Sequence, residues 1–400
     1  MKNDHRFIVK KCVFLHFHNS IKGGIFWHPA GWNLFQRLIS YMRNKQKKSG
    51  YLEINTPEIM NKEIWKNSGH WNKFRDYIFI VTNIYKNEIY VLRPMNCPGA
   101  IEVFKRGIKT YKDLPLRFSE FGKVYRFEPS GSLFGLMRIR FFTQDDAHIF
   151  CLYEQIVNES LKVCDLIKEV YTDFTFNNFR LRFSDRPNKY LGCVDNWYKS
   201  EYALFSAIKR KKLLYSLNKY EGAFYGPKLE FILTDNTMKE WQLGTLQVDF
   251  NLATKMKSYY INNYGERKIP VILHRAIFGS IERFMGILLE NFSGNLPLWI
   301  SPTQIVLLTA CLYSSLYIKK IHFLLQGILI RCIFDFSNFS IPYKINKYSF
   351  SKIPIIIIIG QKEEKNNFVS IRKIGNKIYE TLELNYFIYT LLNNIKLKEF

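Results

Sequence analysis

Three arginines in one short stretch give this sequence its first chemistry. Residues 116 to 150 read LRFSEFGKVYRFEPSGSLFGLMRIRFFTQDDAHIF. Arg126, Arg138 and Arg140 fall at the inner ends of two strand-like runs, 116 to 127 and 137 to 144, which flank a Gly, Ser and Pro loop at 129 to 135. A guanidinium offers a planar fork of donors and never loses its charge, so a hairpin aiming several of them into one cleft suits a triphosphate. The same spacing also describes a solvated hairpin with charged edges. Just beyond, Asp145, Asp146 and His148 share one strand-like stretch, and alternation puts Asp146 and His148 on one face and Asp145 on the other. Such a pair can bind substrate or metal, or form a structural hydrogen bond. Cys97 lies in a turn set by Pro94, Pro98 and Gly99, and His274 ends an apolar strand just before a helix. Singly, these read as a small buried thiol and a core imidazole. Neither a G-x-x-x-x-G-K-S/T loop nor a G-x-G-x-x-G turn is present, so nucleotide binding here would not use a P-loop.

The elements that must position these residues divide at a Pro-marked seam, LPLWISP, at 296 to 302. Before it, a helix carrying Trp32, Phe35, Leu38, Ile39 and Met42 precedes strand-like stretches at 76 to 92, 116 to 127, 137 to 144, 225 to 233 and 241 to 251, with helices near 153 to 173 and 275 to 292. Strands grouped with few crossover helices predict an α+β domain over 1 to 298, built on an antiparallel sheet. After it, apolar stretches at 304 to 310, 327 to 334 and 355 to 359 alternate with helical segments at 313 to 325 and 343 to 352, and a Leu/Ile-periodic stretch closes the chain at 380 to 397. That alternation predicts a small α/β domain of about five strands over 299 to 400.

Composition narrows the class. Four hundred residues, 47% of them hydrophobic, exclude a disordered or collagenous chain. Lys and Arg number 58 against 34 Asp and Glu, a formal charge of +24, which suits a polyanionic partner; a composition rich in Ile, Asn, Lys, Phe and Tyr, as an AT-rich genome produces, explains it equally well. The seven cysteines (Cys12, Cys97, Cys151, Cys164, Cys193, Cys311, Cys332) are scattered and never form C-x-x-C, the usage of a reducing compartment. The N-terminus lacks the apolar core of a signal peptide, and no run approaches the ~20 apolar residues of a membrane span. A soluble cytoplasmic protein without a membrane partner is expected.

Read in order, FWHPAGW (26 to 32), SGHW (68 to 71), RPMNCPG (93 to 99), YRFEPSGSLFGLMRIRFFTQDDAHIF (125 to 150), EGAFYGPKLEF (221 to 231), LGTLQVDF (243 to 250) and HRAIFGSIERFMGIL (274 to 288) resemble the threonyl-tRNA synthetase family of class II aminoacyl-tRNA synthetases, from Trp27 to the C-terminus. The resemblance implies the class II antiparallel catalytic sheet and a C-terminal α/β anticodon-binding domain. The first class motif would end at Pro57, usually a dimer contact, so a homodimer is expected. The substrates implied are ATP with Mg²⁺, L-threonine and tRNA(Thr). In the nucleotide site, Arg126 would hold the α-phosphate, Glu128 the adenine edge and Arg138 the outer phosphates. Phe142 and Arg283 would stack on the two adenine faces, with Gln242 also at the nucleotide. One zinc ion would be held by Cys97, His148 and His274, leaving a fourth position open. Gln144, Asp146, Tyr225 and Gln247 would surround threonine, whose amino group and hydroxyl bind the zinc. His70 matches the base for transfer to tRNA, Lys228 a group near the adenylate phosphate, and Glu363 and Arg372 the anticodon-reading positions.

Three departures from the family pattern stand out: Phe134 where His is usual, Phe141 where Gly precedes Phe142, and Leu243 where Cys follows Gln242. The chain begins almost at the catalytic core, so an N-terminal editing segment is not expected, and measurable seryl-tRNA(Thr) formation is. A prolyl, seryl or histidyl enzyme of the same subclass has no need of an amino-acid-binding metal at these three positions. A non-catalytic paralogue that binds tRNA or a tRNA-like RNA as a regulator would commonly have lost a phosphate-binding Arg or a metal ligand. Arg126, Arg283, Cys97, His148 and His274 all persist.

Overall fold

The computed structural model describes residues 3–83, 85–86, 88–235, 237–309, 315–376 and 378–398. Cys311 and the start of the helix expected at 313 to 325 lie outside the described residues. The chain divides into two compact units, one of Met1–Asn19, Ile25–Leu38 and Leu288–Phe400, the other of Ser20–Gly24 and Ile39–Ile287.

The second unit is built on an eight-stranded sheet, ordered Ser216–Asn218, Arg180–Ser184, Lys228–Thr234, Glu240–Asp249, Val271–Ser280, Phe141–Cys151, Leu116–Tyr125, Leu52–Glu53. All inner pairings are antiparallel, and the two edge pairings are parallel. The antiparallel α+β reading of the sequence therefore holds. The central strand, VILHRAIFGS, is buried along its length except at Ser280. It shows no polar alternation because both of its faces are covered. On one face lies the helix Ile156–Asp173, whose Tyr171 hydroxyl donates to Ile277 O at 3.1 Å and accepts from Gly244 N at 2.9 Å. Gly244 is required there, since a Cβ would stand 2.9 Å from that hydroxyl oxygen. The other face is closed at one end by the helix Cys97–Phe104, where Phe104 stacks on Phe150 at 4.1 Å and Ile101 joins Phe118 and Ile272 in one apolar cluster. Cys97, Ile101 and Phe104 lie at i, i+4 and i+7, so the stripe that packs the helix down also turns the thiol toward the sheet.

Several boundaries differ from those expected. The hairpin's second strand begins at Phe141, not 137, and runs to Cys151, so Arg138 and Arg140 belong to the connecting loop. Cys97 opens a helix rather than lying in a turn, with Pro98 in its first turn, where a missing N–H is harmless. His274 sits in mid-strand, and the helix expected from 275 starts only at Ile281; consecutive buried Ile and Phe serve a doubly covered strand as well as a helix. The helix Val194–Arg210 was not expected. Its buried stripe of Trp197, Ala203, Leu204, Ala207 and Ile208 is masked in the sequence by Tyr198, Tyr202 and Phe205 on its exposed side.

In the first unit, a five-stranded sheet follows the order Cys332–Asp335, Ile305–Thr309, Ile355–Ile359, Phe368–Lys373, Glu380–Glu383. The first three are parallel and the rest antiparallel. The helices Ser315–Gly327, Ile341–Phe350 and Leu384–Leu397 accompany it. The isoleucine run 355 to 359 is its buried central strand, as the sequence predicted.

Candidate active site

The eight-stranded sheet arranges the candidate residues as a grid. Along Phe141–Cys151, positions 142, 144, 146 and 148 share one face, so Phe142, Gln144, Asp146 and His148 form a row with about 6.7 Å between neighbours. Asp145 points the other way: it is fully buried, it accepts from Ile277 N at 3.0 Å, and its carboxylate lies 3.7 Å from Arg275. A second row runs across the strands, because directly paired residues share a face. His148 pairs with His274, His274 with Gln247, and Gln247 with Lys228. The two rows meet at His148.

At that crossing, Cys97, His148 and His274 bring donor atoms within 4.8 Å of one another, all three residues buried. The imidazoles lie 4.8 Å apart at 82°. Their chemistry fits a metal: among the described residues, His148 Nε2 and His274 Nδ1 have no hydrogen-bond partner, a costly state for buried polar atoms. The opposite nitrogen of His274, Nε2, lies 3.0 Å from Asp249 Oδ2, the carboxylate support typical of a metal-bound imidazole. Burial pushes His148 down to about 4 and the Cys97 thiol well above its usual value, with Asp146 adding to the latter. A nearby cation would offset the second effect. A thiolate and two imidazoles suit zinc, with one tetrahedral position left open. The grouping of Asp4, His5 and Glu290 differs, because its atoms are already engaged: His5 Nδ1 with Glu290 at 2.6 Å and Asp4 with Arg6 at 2.6 Å.

Beside the three ligands, the Tyr225 hydroxyl donates to Gln247 Oε1 at 2.5 Å, and its ring lies 5.0 Å from that of His274. Asp146 accepts from Asn96 Nδ2 at 2.9 Å. Lys228 pairs with Glu230 at 2.6 Å.

At the other end of the row opens a cleft of about 160 Å³, lined among others by Arg126, Glu128, Arg138, Phe142, Gln242 and Arg283. These are all six residues expected at the nucleotide, and Gln144 lines the same cleft. Arg126 donates to Pro94 O at 3.1 Å, and its guanidinium lies 5.2 Å from the Phe142 ring. Arg283 donates to Met137 O at 2.8 Å and Gln242 O at 3.0 Å. Burial, reinforced by Arg138 and Arg126, pushes Arg283 down to about 10. Clustered cations of this kind, with Arg126 and Arg283 half-buried and Arg138 exposed at the rim, favour an anionic ligand. Arg140 is a correction to the three-arginine reading: its guanidinium faces Glu128 O at 2.8 Å and Ser130 Oγ at 3.3 Å, so it braces the loop instead of lining the cleft.

His70 is wholly buried, against Trp65, Phe74 and Phe224. Its Nδ1 lies 2.8 Å from Ser68 Oγ, and burial pushes it down to about 3. The departures have physical places: Phe134 stacks on Trp241 at 6.1 Å and 12°, Phe141 packs against Phe79 and Tyr125, and Leu243 lines the cleft. In the first unit, Glu363 accepts from Gly360 N at 2.9 Å and Ser370 Oγ at 2.8 Å, while Arg372 donates to Asn376 O at 2.8 Å. Sequence reasoning missed Asn96 and Asp249. Asp249 lies two residues beyond Gln247 on the same strand face, and that alternation was the available signal.

Comparison with known proteins places the chain in a family. Residues 77–292 match the tRNA synthetase class II core domain family (G, H, P, S and T), and residues 313–394 match an anticodon binding domain family. The chain is 47% identical over 389 residues to the threonine--tRNA ligase of Pelagibacter ubique, covering 97% of this chain and 61% of that protein. It is 46% identical over 396 residues to the threonine--tRNA ligase of Wolbachia pipientis, covering 99% and 62%. A solved structure, the RNA binding domain of threonyl-tRNA synthetase from Cryptosporidium parvum, superposes with a TM-score of 0.93 at 35% identity, covering 98% of each chain. The core that matches more than half of its length defines a class II aminoacyl-tRNA synthetase. Within that class, the chain belongs to the threonyl-tRNA synthetase family. It spans about three-fifths of the length of the curated relatives it matches.

Proposed function

We propose that the protein is an ATP-dependent threonine--tRNA ligase. In the first step the threonine carboxylate attacks the α-phosphorus of ATP, giving threonyl-adenylate and pyrophosphate. In the second, the terminal 2′- or 3′-hydroxyl of tRNA(Thr) attacks the adenylate carbonyl, releasing AMP. The observation that carries the reading is the row on Phe141–Cys151, which leads from the arginine-lined cleft at Phe142 to the Cys97, His148 and His274 group.

In this reading Arg126 and Arg138 neutralise the triphosphate, whose Mg²⁺ travels with ATP, and Phe142 and Arg283 enclose the adenine while Glu128 and Gln242 meet its edge. Adenylate formation is an in-line displacement, so it gains chiefly from positioning and charge stabilisation. Cys97, His148 and His274 would hold zinc, which when bound supplies a Lewis acid to the amino group and hydroxyl of threonine. Asp146 accepts a hydrogen bond from that hydroxyl, and Gln144, Tyr225 and Gln247 close the pocket. Lys228 lies one strand from Gln247 and serves the adenylate phosphate. His70, neutral at physiological pH, acts as the base in transfer; its Nε2 has no partner among the described residues.

The division into a catalytic part over 1–298 and an anticodon-binding part over 299–400 is supported by the two sheets, whose strands fall on opposite sides of that boundary. Glu363 and Arg372 would then read anticodon bases by their edges. A homodimer formed around the segment ending at Pro57, and a cytoplasmic location, follow from the same reading; no helix among the described residues is long and apolar enough to cross a membrane. The test is aminoacylation of tRNA(Thr) with threonine and ATP, run alongside light scattering. Threonyl-tRNA formation by a particle of twice the chain mass supports the reading, and tRNA binding without charging defeats it.

A further inference from the structure

Asn96 is wholly buried and immediately precedes the helix that starts at Cys97. Asparagine at that position ordinarily caps its helix by accepting from a first-turn N–H. Here it makes no such bond. Its amide nitrogen instead donates to Asp146 Oδ2 at 2.9 Å, and its Oδ1 has no partner among the described residues. The opposite amide orientation would set Oδ1 against the carboxylate, so Asp146 itself fixes which way the amide faces. A forgone cap and an unsatisfied buried oxygen are both unfavourable, and such local conflicts concentrate at functional sites.

The neighbouring strand makes room for this arrangement. Gly122, paired with Gln144 on the site face of the sheet, has an ordinary backbone conformation. A Cβ at Gly122 would nevertheless stand 2.3, 2.6 and 2.7 Å from Oδ1, Cγ and Nδ2 of Asn96. Glycine is therefore needed here for space.

We propose that Asn96 is a positioning residue for amino-acid selection: it orients the Asp146 carboxylate toward the substrate hydroxyl, and Gly122 is the seat that lets it do so. This rests on the threonine reading given above. Losing the bond from Asn96 leaves Asp146 free to turn, which weakens recognition of a substrate with a hydroxyl and leaves an isostere without one unaffected.

The experiment compares wild type, Asn96→Ala, Gly122→Ala and the double variant in ATP–pyrophosphate exchange with threonine and valine, and measures zinc content in each. Asn96→Ala should lower kcat/KM for threonine by about 10- to 150-fold, the loss typical of one hydrogen bond to a charged group. The threonine-to-valine ratio should fall by the same factor, with KM for ATP and zinc content unchanged. Gly122→Ala should reproduce that loss, because its Cβ collides with the Asn96 side chain. The double variant should be no worse than Asn96→Ala, since truncation removes the colliding atoms. An unchanged ratio in Asn96→Ala, or additive losses in the double variant, would overturn the proposal while leaving the threonine reading intact. A wild-type protein that activates no threonine would defeat both.

Discussion

At Arg126 a half-buried guanidinium lies beside Phe142 in a cleft shared with Arg138 and Arg283, so charge that develops on a phosphate bound there would meet donors already in place. Arg126→Ala should lower kcat for pyrophosphate exchange about 10²–10³-fold, the usual cost of removing one preorganised donor, with a much smaller change in KM for threonine; equal losses in both would indicate general collapse of the site. Amino-acid choice follows the same local logic. On the proposed reading valine would leave Asp146 without a hydroxyl partner and should be activated ~10⁴-fold less efficiently than threonine, whereas serine lacks only a methyl and should trail by about 10- to 200-fold. Comparable rates with valine and threonine would rule out recognition through the hydroxyl. Cys97, His148 and His274 stood out in the sequence only through the family resemblance, each reading alone as an ordinary structural residue, and the structure brings their donor atoms together. Asn96 and Asp249 did not stand out, because a supporting residue is recognised only by the partner it meets, which strand register and helix packing decide. Arg140 shows the converse: its charge is visible in the sequence, but its donation to Glu128 O is not.

Strand and helix ends carry the site, and the contact between Glu282 and the hairpin shows how they are joined. Just after the Val271–Ser280 strand, Glu282 accepts from Thr143 N at 3.0 Å and from Ser280 Oγ at 2.9 Å. It thereby ties the strand bearing Phe142 and Gln144 to the helix bearing Arg283. Burial pushes its carboxyl from 4.5 up to about 7. The folded state thus binds this proton more tightly than the unfolded chain does, so the stabilisation is complete below 4.5 and is lost as pH rises through about 7. Urea titrations of wild type and Glu282→Gln should show a steeper decline in stability between pH 5 and 8 for wild type; parallel curves would contradict this. The stack of Phe134 on Trp241 fixes the loop bearing Arg138, and Phe134→Ala should raise KM for ATP by about 2- to 10-fold, the range of an aromatic pair worth ~0.5–1.5 kcal/mol. An unchanged KM would make the stack incidental. Element types were readable where apolar pattern and length agreed, as in the isoleucine strand 355 to 359. They were not where both faces are buried, as in 271 to 280, or where exposed aromatics obscure the stripe, as in 194 to 210.

Across the whole chain, the charge of +24 and the two matched families describe a protein suited to a polyanion. If the basic surface engages tRNA, binding should weaken linearly in log–log plots against salt, with a slope set by the number of phosphates contacted. A slope near zero would assign the charge to compositional bias. That the chain holds two different sheets was legible because the alternation of strands and helices changes along it, whereas the grouping of residues 1–19 and 25–38 with the C-terminal sheet was not, since nothing local encodes a relation so distant in sequence. On the proposed reading, Cys97, His148 and His274 hold one ion through which the chain selects threonine. Threonine-dependent ATP–pyrophosphate exchange, measured for wild type before and after chelation and for Cys97→Ala, tests it most directly. Wild type should carry about one zinc per chain, lose exchange on chelation and regain it with added zinc, and Cys97→Ala should have neither metal nor exchange. Full exchange by the stripped protein or by Cys97→Ala would contradict it.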